Sequence, residues 1–515
     1  DFRVESDGNA NMLHIDGGNN GVGIGTTGTS SAALTISASG NASIVTTTAG
    51  TSNFISGVNA GNSITSGGNY NVAVGDEAGT AITTGDYNTA LGFEALAATT
   101  DRNSNTALGA QTLKTNVNGA KNTAVGSGAL LTMNPATDSD TYNVAVGFDA
   151  GNDITTGVSN TLIGALSGDA LTEGTRNVAV GISALSGDTL GSKAVAVGRN
   201  TLLAQNFTTA TDNYNVAVGD SAGAAVTTGV RNVVIGGLAG DALTDADRNT
   251  AIGFAALSSD TLGSKSTAVG SGTLFTQNFT TATDAFNTAV GFEAGILLTT
   301  GTNNTILGGN ALSSDTLGSR SVAIGKSALA AQNFTTATST YNVAVGDSAG
   351  TSVTTGVKNT FIGGLTADAI TTGTLNTAVG SSALTTDTLG NKTTAIGEGA
   401  LAAQNFTTST DTFNVAVGYQ SGVSLTTGIQ NTLIGSLAAD ALTDADKNVA
   451  VGYQALSSDT LGSNSTAIGR GALFAQNFTT ATDSFNTAVG ADAGNQVTTG
   501  IENTLIGGQA GDALT

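Results

Sequence analysis

The sequence predicts an all-β fold, a parallel β-solenoid (β-roll) built from coils of 17 residues. An Asn-x-x-x-Gly unit recurs every 17 residues and then after 21, beginning at Asn71, Asn88, Asn105, Asn122 and Asn143. This cycle repeats as a superrepeat of 72 residues, and one interval of 55 residues, from Asn287 to Asn342, lacks a single unit. The 17-residue unit is therefore the structural repeat that can be gained or lost as a whole. Fixed repeats of this size are typical of stacked repeat proteins and not of globular enzymes.

Each unit begins with a short predicted strand, such as 143–147. The second residue of the segment is Thr or Val and the fourth is Val, Ile or Leu, so these two point to one face of the strand. The first, third and fifth residues, usually Asn, Ala and Gly, point to the other face. A second apolar pair and a polar turn such as Thr155-Thr156-Gly157 complete the unit. Strands this short, without helical periodicity, favour solenoid coils. Stacked at ~4.8 Å, the 25 units would span roughly 120 Å.

The repeat divides the chain into three predicted parts. Residues 1–52 form a leader of small β-hairpins with Gly and Asn turns, including segments 2–4, 12–15 and 33–36. Residues 53–70 form a degenerate first coil, and residues 71–515 form an array of 25 coils with a truncated last one. Because the chain begins with Asp1 and stops inside a unit, we expect both ends to be cuts through a longer protein. A signal peptide, anchor or tip domain would then lie outside this sequence.

Composition excludes several function classes. A net charge of −22 leaves no basic footprint for nucleic acid, and favours simple solubility over cation association. No run of 18 apolar residues exists, which predicts no membrane insertion of this segment. Cysteine is absent, so no disulfide framework is predicted. The apolar residues are mostly Ala, Val, Leu and Ile, which predicts a thin core stabilised by stacking or by oligomerisation.

Two repeated residues predict a structural ladder. Gly is fifth in all 25 units, which indicates a positive φ at a corner or the close approach of a neighbouring chain. Asn is first in 20 of the 25 units, and stacked amides would satisfy each other along the axis. The ladder is represented by Asn71, Asn88, Asn105, Asn122 and Asn143, and by Gly75, Gly92, Gly109, Gly126 and Gly147.

The fourth coil of each superrepeat carries four extra residues, in the segment 205–212 and its copies. An insertion between coils that stay in register should leave the solenoid as a loop, so we expect projecting loops about every four rungs. Aromatic residues near these loops either fold the loop against the rod or form patches for glycan or surface contact. They are Phe207, Tyr214, Phe279, Phe286, Phe334, Tyr341, Phe406, Phe413, Phe478 and Phe485.

The sequence offers no catalytic, cofactor or metal site. His14 is the single histidine, so no histidine triad or zinc cluster can form. The segment 23–28 matches Gly-x-Gly-x-x-Gly, but the residues after it resemble a strand and begin no helix. The pairs Asp245/Asp247 and Asp444/Asp446 could touch a cation and are interpreted as solvated turn residues.

The strand motifs resemble a known family. Asn-Thr-Ala-Val-Gly at Asn122, Asn287, Asn376 and Asn486, with Ser-Val-Ala-Ile-Gly at Ser321, resembles the head repeats of YadA-like trimeric autotransporter adhesins. Those heads are left-handed β-rolls packed as three chains, with a unit of about 14 residues where this chain has 17. The leader, from Asp1 to Gly8 and from Met12 to Thr26, is similar to segments of tail fibres of aquatic phages, which are also trimers.

These observations predict a homotrimeric fibre, intertwined or side by side, that serves as the structural shaft of an extracellular attachment fibre. A phage tail fibre mediating host-surface adhesion is favoured, without enzymatic activity; its partners would be itself and a host glycan or protein. A bacterial trimeric adhesin or surface filament is the alternative. An ice- or glycan-binding solenoid ranks lower, because the Thr-Thr-Gly pair recurs mainly once per superrepeat. A polysaccharide-cleaving fibre would need paired carboxylates, and no reliable pair occurs.

Overall fold

The computed structural model describes residues 2–6, 9–16, 21–23 and 49–515. The chain divides into two compact units, residues 1–47 and 48–515. In the first unit, strands Phe2–Ser6, Asn9–Asp16 and Gly21–Gly23 form an antiparallel sheet in that order. The predicted strand at 33–36 and most of the Gly-x-Gly-x-x-Gly match lie outside the described residues.

The second unit is a parallel β-solenoid, which confirms the predicted fold class, and its described residues contain no helix. One three-residue strand from each coil pairs in parallel with the strands of the coils before and after it. The strands of this ladder are Phe54–Ser56, Val72–Val74, Thr89–Leu91, Thr106–Leu108, Thr123–Val125, Val144–Val146, Thr161–Ile163, Val178–Val180, Val195–Val197, Val216–Val218, Val233–Ile235, Thr250–Ile252, Thr267–Val269, Thr288–Val290, Thr305–Leu307, Val322–Ile324, Val343–Val345, Thr360–Ile362, Thr377–Val379, Thr394–Ile396, Val415–Val417, Thr432–Ile434, Val449–Val451, Thr466–Ile468, Thr487–Val489 and Thr504–Ile506.

The register of this ladder follows the sequence repeat. Each residue pairs with the residue at the same position of the next coil, as in Val216↔Val233 and Ala217↔Val234. The register also holds across the four-residue insertion, where Val195 pairs with Val216. Coil position therefore defines spatial position. Positions are numbered below from the first residue of each unit, usually Asn, as 1, and the residue before the next unit is called position 17 even where four inserted residues precede it.

The insertion does not leave the solenoid as a free loop. Its last residues form a second short strand that pairs in parallel with the coil before it, and the longest exposed run is the tip at 208–210. The six pairs are Gly119–Ala120 with Ser139–Asp140, Gly191–Ser192 with Thr211–Asp212, Gly263–Ser264 with Thr283–Asp284, Gly318–Ser319 with Thr338–Ser339, Gly390–Asn391 with Thr410–Asp411, and Gly462–Ser463 with Thr482–Asp483. Projecting loops were expected here, but only the short tip of each insertion projects from the solenoid.

The interior is built from the odd-numbered positions of the strand segment, above all position 3. Position 3, usually alanine, is buried in every coil except the last, as Ala145 and Ala217 show, and the larger Leu162 and Phe361 occupy it in two other coils. The Val, Ile and Leu of the other parity face outward and do not belong to the core. Each chain therefore uses its small Ala and Gly faces to close its own coils, and these faces are buried within the single chain.

Candidate functional surface

The ladder glycines lie where successive coils touch. Gly219 has φ of 137°, and a Cβ built on it would lie 2.5 Å from the carbonyl oxygen of Gly236 in the next coil. Side chains rarely adopt this region of φ, and the obstacle is backbone, which cannot move aside. Both expected reasons for glycine apply, although the close neighbour is the next coil of the same chain.

The ladder asparagines are buried, and they bond mainly to backbone. The Nδ2 of Asn215 donates to the carbonyl of Gly229 (2.8 Å) at the end of its own coil, and its Oδ1 accepts from the amide of Asn232 (2.9 Å) in the next. Direct amide-to-amide bonds occur only at some steps, such as Asn160 to Asn143 (3.2 Å). Each amide thus ties the turn of one coil to the strand entry of the next, instead of the amide-to-amide stack expected from sequence.

Replacing one ladder asparagine tests this role. Asn232→Ala leaves the carbonyl of Ala246 and the amide of Asn249 without their buried partner. We expect a loss of about 1–3 kcal/mol, the usual cost of a buried unpaired polar group. Hydrogen exchange should show faster exchange of the Asn249 amide, whereas Gln496→Ala, at an exposed amide, should leave exchange unchanged. Unchanged protection at Asn249 would contradict the assignment.

A buried carboxylate anchors each later insertion. The Oδ1 of Asp188 accepts from the amides of Gly191 (3.0 Å) and Phe207 (3.2 Å), and its Oδ2 accepts from Nε2 of Gln205 (2.6 Å). The Oε1 of Gln205 accepts from Asn215 (2.9 Å), which joins this anchor to the asparagine ladder. The same anchor recurs at Asp260/Gln277/Phe279, Asp315/Gln332/Phe334, Asp387/Gln404/Phe406 and Asp459/Gln476/Phe478.

The sequence interpretation missed this anchor. Its signal was an Asp-Thr-Leu-Gly segment that precedes every one of these glutamines by 17 residues. Burial raises the pKa of Asp188, Asp260, Asp315 and Asp387, and the donated hydrogen bonds oppose this rise. The folded chain therefore holds these protons more tightly than the unfolded chain. The stabilisation by protonation is complete below the ordinary aspartate pKa and is lost as pH rises through the raised value.

In the first insertion, all three anchor residues are replaced by other residue types. Asn116, Met133 and Pro135 stand where Asp188, Gln205 and Phe207 stand one superrepeat later. Proline has no amide hydrogen to donate, and the methionine side chain has no N–H donor, so a neutral asparagine suffices there. Asn116 instead bonds to both backbone groups of Gly119 (2.9 and 2.8 Å). The three positions behave as one unit.

The predicted contact aromatics separate into two series. Phe207, Phe279, Phe334, Phe406 and Phe478 are only 5–6% exposed, so these rings are not available for the surface contact that the sequence suggested. Tyr214, Phe286, Tyr341, Phe413 and Phe485 keep 48–56% of their surface exposed. The structure therefore leaves one aromatic per insertion for surface contact.

Four of these exposed rings carry a cation. Lys193 Nζ lies 4.9 Å from the ring centre of Tyr214 and also bonds to its hydroxyl and to Asp212 (2.9 and 2.6 Å). Lys265 and Phe286, Arg320 and Tyr341, and Lys392 and Phe413 repeat the pairing, which Lys121 and Tyr142 also make at the first insertion. At Phe485 the cation is replaced by Asn464.

An aliphatic stripe runs along the whole outward strand face. Position 4 is Val, Ile or Leu in all 25 coils and is nowhere buried, with Leu91 at 45% and Ile163 at 40% exposure. Position 2 beside it is always Val or Thr. The stripe comprises Val74, Leu91, Leu108, Val125, Val146, Ile163, Val180, Val197, Val218, Ile235, Ile252, Val269, Val290, Leu307, Ile324, Val345, Ile362, Val379, Ile396, Val417, Ile434, Val451, Ile468, Val489 and Ile506. Exposed apolar residues repeated on this scale are typical of interaction surfaces.

A threonine ladder occupies position 13, on more rungs than the Thr-Thr-Gly pair suggested. Thr155, Thr172 and Thr189 stand on consecutive coils, and their side chains are only partly exposed. The hydroxyls of Thr155 and Thr172 donate to the backbone carbonyl of the next coil (3.3 and 3.0 Å). Their donors are therefore used within the chain, which does not favour an ice-binding face here.

The aspartates considered for cation binding accept hydrogen bonds from turn residues of the neighbouring coil. Asp245 accepts from the hydroxyl of Thr228 (2.7 Å), and Asp247 accepts from the amide of Val230 (2.8 Å). Among the described residues, no group of three or more His, Asp or Glu side chains is arranged to hold a metal ion. No described helix is long and apolar enough to cross a membrane.

Comparison with protein-family models, with curated proteins and with solved structures finds no match to this chain. Its function is therefore inferred from the surfaces described above. The aliphatic stripe is the largest of them, and the flanking aromatic and charged residues are the next.

Proposed function

We propose that the chain is the shaft of an extracellular attachment fibre in which three copies associate along the aliphatic stripe. The observation that carries this proposal is that all 25 coils present Val, Ile or Leu at position 4 to solvent. A surface position without a packing partner would accept polar residues in some of 25 copies. Burial of such side chains stabilises by roughly 25 cal/mol per Å² of apolar surface, which favours association along the full stripe.

The role of the fibre is mechanical. Parallel pairing in unbroken register through 26 strands makes a stack whose length is set by the number of coils. Such a spacer suits the tail fibre of a phage that attaches to a host surface. The exposed aromatic series, about four rungs apart, would add weak lateral contacts to surface glycans, which gain strength from repetition.

Charged substitutions in the stripe test the association. Ile163→Lys, Val197→Lys and Ile235→Lys lie on alternate coils, so the new charges do not stack directly on each other. Light scattering should give three times 50.2 kDa for the natural chain and 50.2 kDa for the triple variant. Because these side chains already face solvent in the single chain, the coils should remain folded by circular dichroism.

A matched control carries three lysines elsewhere. Thr156→Lys, Thr300→Lys and Thr355→Lys place the same charge at exposed turns outside the stripe, and this variant should keep the mass of the natural chain. A monomeric natural chain would overturn the proposal, as would a trimer that persists in the stripe variant.

A further inference from the structure

Position 17, the residue just before each strand segment, forms a row of cations and aromatic rings along the solenoid. It holds ten of the chain's 16 Lys and Arg residues, namely Lys121, Arg176, Lys193, Arg231, Arg248, Lys265, Arg320, Lys358, Lys392 and Lys447. Seven further coils have an aromatic residue there, 48–60% exposed: Tyr87, Tyr142, Tyr214, Phe286, Tyr341, Phe413 and Phe485. The single acid at this position is Glu502. This cation–aromatic row is therefore basic although the chain has a net charge of −22.

Six cations of the row have no carboxylate partner. Aspartates of the insertions pair with Lys121, Lys193, Lys265 and Lys392. In the described part of the chain, the other six make no ion pair, and all are exposed: Arg176, Arg231, Arg248, Arg320, Lys358 and Lys447. Of the five described cations outside the row, four are ion-paired: Arg102, Lys114, Arg199 and Arg470. The row thus keeps positive charge that the chain itself does not neutralise.

The backbone at position 17 would suit glycine, yet the row keeps side chains there. The residue at this position has φ between 48° and 64°, the left-handed region, as in Arg231 and Tyr214. Glycine adopts this region at no steric cost, but no coil has glycine at position 17. The other left-handed corners, at positions 7 and 9, do use glycine in some coils, for example Gly128 and Gly79. An interaction of the position 17 side chains would account for this difference.

The insertions show how an acid binds to this row. At the second insertion, Oδ2 of Asp212 lies 2.6 Å from Nζ of Lys193, which also lies 4.9 Å from the ring centre of Tyr214. Five of the six insertions have an aspartate at this place. A cation next to an exposed aromatic ring is thus an arrangement that accepts a carboxylate.

The fourth insertion lacks this internal acid. Ser339 stands at the aspartate place, and the guanidinium of Arg320 donates to its hydroxyl (2.9 Å) and to the hydroxyl of Tyr341 (2.7 Å). The ring of Tyr341 is 50% exposed, Cζ of Arg320 lies 5.5 Å from its centre, and Lys358 follows it in the row one coil later. Among the described residues, no acid pairs with either cation. A carboxylate from another molecule can therefore bind here as the aspartate does in the other insertions.

A second copy of the chain does not supply the missing acids. Six residues after each cation of the row, just beyond the strand that follows it, the chain is acidic only at Glu398. At the same place Lys193 and Arg320 have Arg199 and Lys326. Copies that met in register with these two ends of the strand together would bring cations opposite cations at these rungs. The row is therefore better matched to an acidic molecule of another kind.

We infer that the cation–aromatic row is a binding track for an acidic polysaccharide that lies along the solenoid; this inference rests on the surface-glycan contact of the proposed function. Acidic groups of the polysaccharide bind the unpaired cations, and its sugar rings pack on the electron-rich faces of the exposed aromatic residues. Successive rungs are ~4.8 Å apart, comparable to the length of one sugar ring in an extended chain, so repeated acidic sugars meet repeated cations. A nucleic acid is disfavoured, because it requires a broad basic surface and the row is a single file of cations on an acidic chain.

Binding of a fluorescent oligogalacturonate to the full chain, measured by fluorescence anisotropy, tests the track. The row variant, Arg231→Gln with Arg320→Gln and Lys358→Gln, removes the three unpaired cations that stand next to an exposed aromatic residue in the row. Glutamine occurs naturally at position 17, as Gln430 shows, so the variant should fold. It should weaken binding about fivefold or more in low salt, with a smaller effect in high salt. A neutral dextran of similar length should not bind.

The control variant removes three cations outside the row, Arg199→Gln with Lys326→Gln and Arg470→Gln, and should bind the oligogalacturonate as the natural chain does. The inference would be overturned by a natural chain that does not bind, by equal weakening in the two variants, or by tighter binding of a fluorescent oligothymidylate. The row variant should keep the mass of the natural chain in light scattering, so a failure of glycan binding leaves the fibre proposal intact. A monomeric natural chain would overturn the fibre proposal, whereas the anisotropy result would still decide whether the row binds the polysaccharide.

Discussion

Gly363→Ala is expected to break the coil stack at its site, with a loss of more than about 3 kcal/mol. Gly363 has φ of 135°, and a Cβ there would lie 2.6 Å from the carbonyl oxygen and 2.7 Å from the carbonyl carbon of Gly380. The backbone strain and the clash add, because neither can be relieved without moving the next coil. In a stack where each coil contacts only its neighbours, this displacement should uncouple the two halves.

The adjacent residue supplies the control. Gly364 has no atom within 4 Å of a built Cβ, so Gly364→Ala should cost nothing and should restrict the unfolded chain slightly. Urea unfolding followed by hydrogen exchange should show lost protection around residues 346–380 in Gly363→Ala alone, with distant coils still protected. Equal stability of the two variants would show that the carbonyl contact is not what requires glycine.

The repeat in the sequence specified the fold well for a physical reason. A parallel ladder in perfect register requires equal coil lengths, so the spacing of Asn143, Asn160 and Asn177 directly encodes which residues pair. The deletion in the 55-residue interval obeys the same rule, since Thr305 pairs with Val322 in unbroken register. Strand position and coil number were therefore predictable before any contact was known.

The orientation of the strand faces was not predictable from the same pattern. Alternation along a strand such as Val144-Ala145-Val146 separates two faces but does not say which one closes the coil. In a globular protein the larger side chains would face inward. Here the coil is so narrow that Ala145 fills the inside, and the valines remain outside at partial exposure.

The site residues were predicted only where a residue type repeats without exception. Gly147 and Asn143 met this condition, and their backbone roles followed from it. Residue type alone did not predict which of the contact aromatics are exposed, since Phe279 is buried and Phe286 is exposed within one insertion. Their difference depends on the anchor at Asp260, which becomes visible only when the chain is folded and the preceding coil lies alongside.

The second large effect is expected when the anchor residues of one insertion are replaced, one at a time, by those of the first insertion. Asp188→Asn directs an N–H donor at Nε2 of Gln205, where 2.6 Å now separates a donor from an acceptor. Gln205 cannot turn its amide to compensate. Its Oε1 accepts from Asn215, which is itself fixed because it donates to Gly229 and accepts from Asn232. We expect a loss of about 1–3 kcal/mol for two facing buried donors.

Gln205→Met alone should also destabilise, because the carboxylate of Asp188 loses a buried donor. The double variant, Asp188→Asn with Gln205→Met, recreates the pair found naturally at Asn116 and Met133, where the ladder asparagine contacts the methionine sulfur at 3.8 Å. Its loss should therefore be smaller than the sum of the single losses by about 1–2 kcal/mol, a coupling typical of contacting residues. Hydrogen exchange of the Phe207 amide measures the anchor locally in all four chains. Additive losses would show that the two side chains stabilise the insertion independently and that their joint replacement at Asn116 and Met133 has another cause.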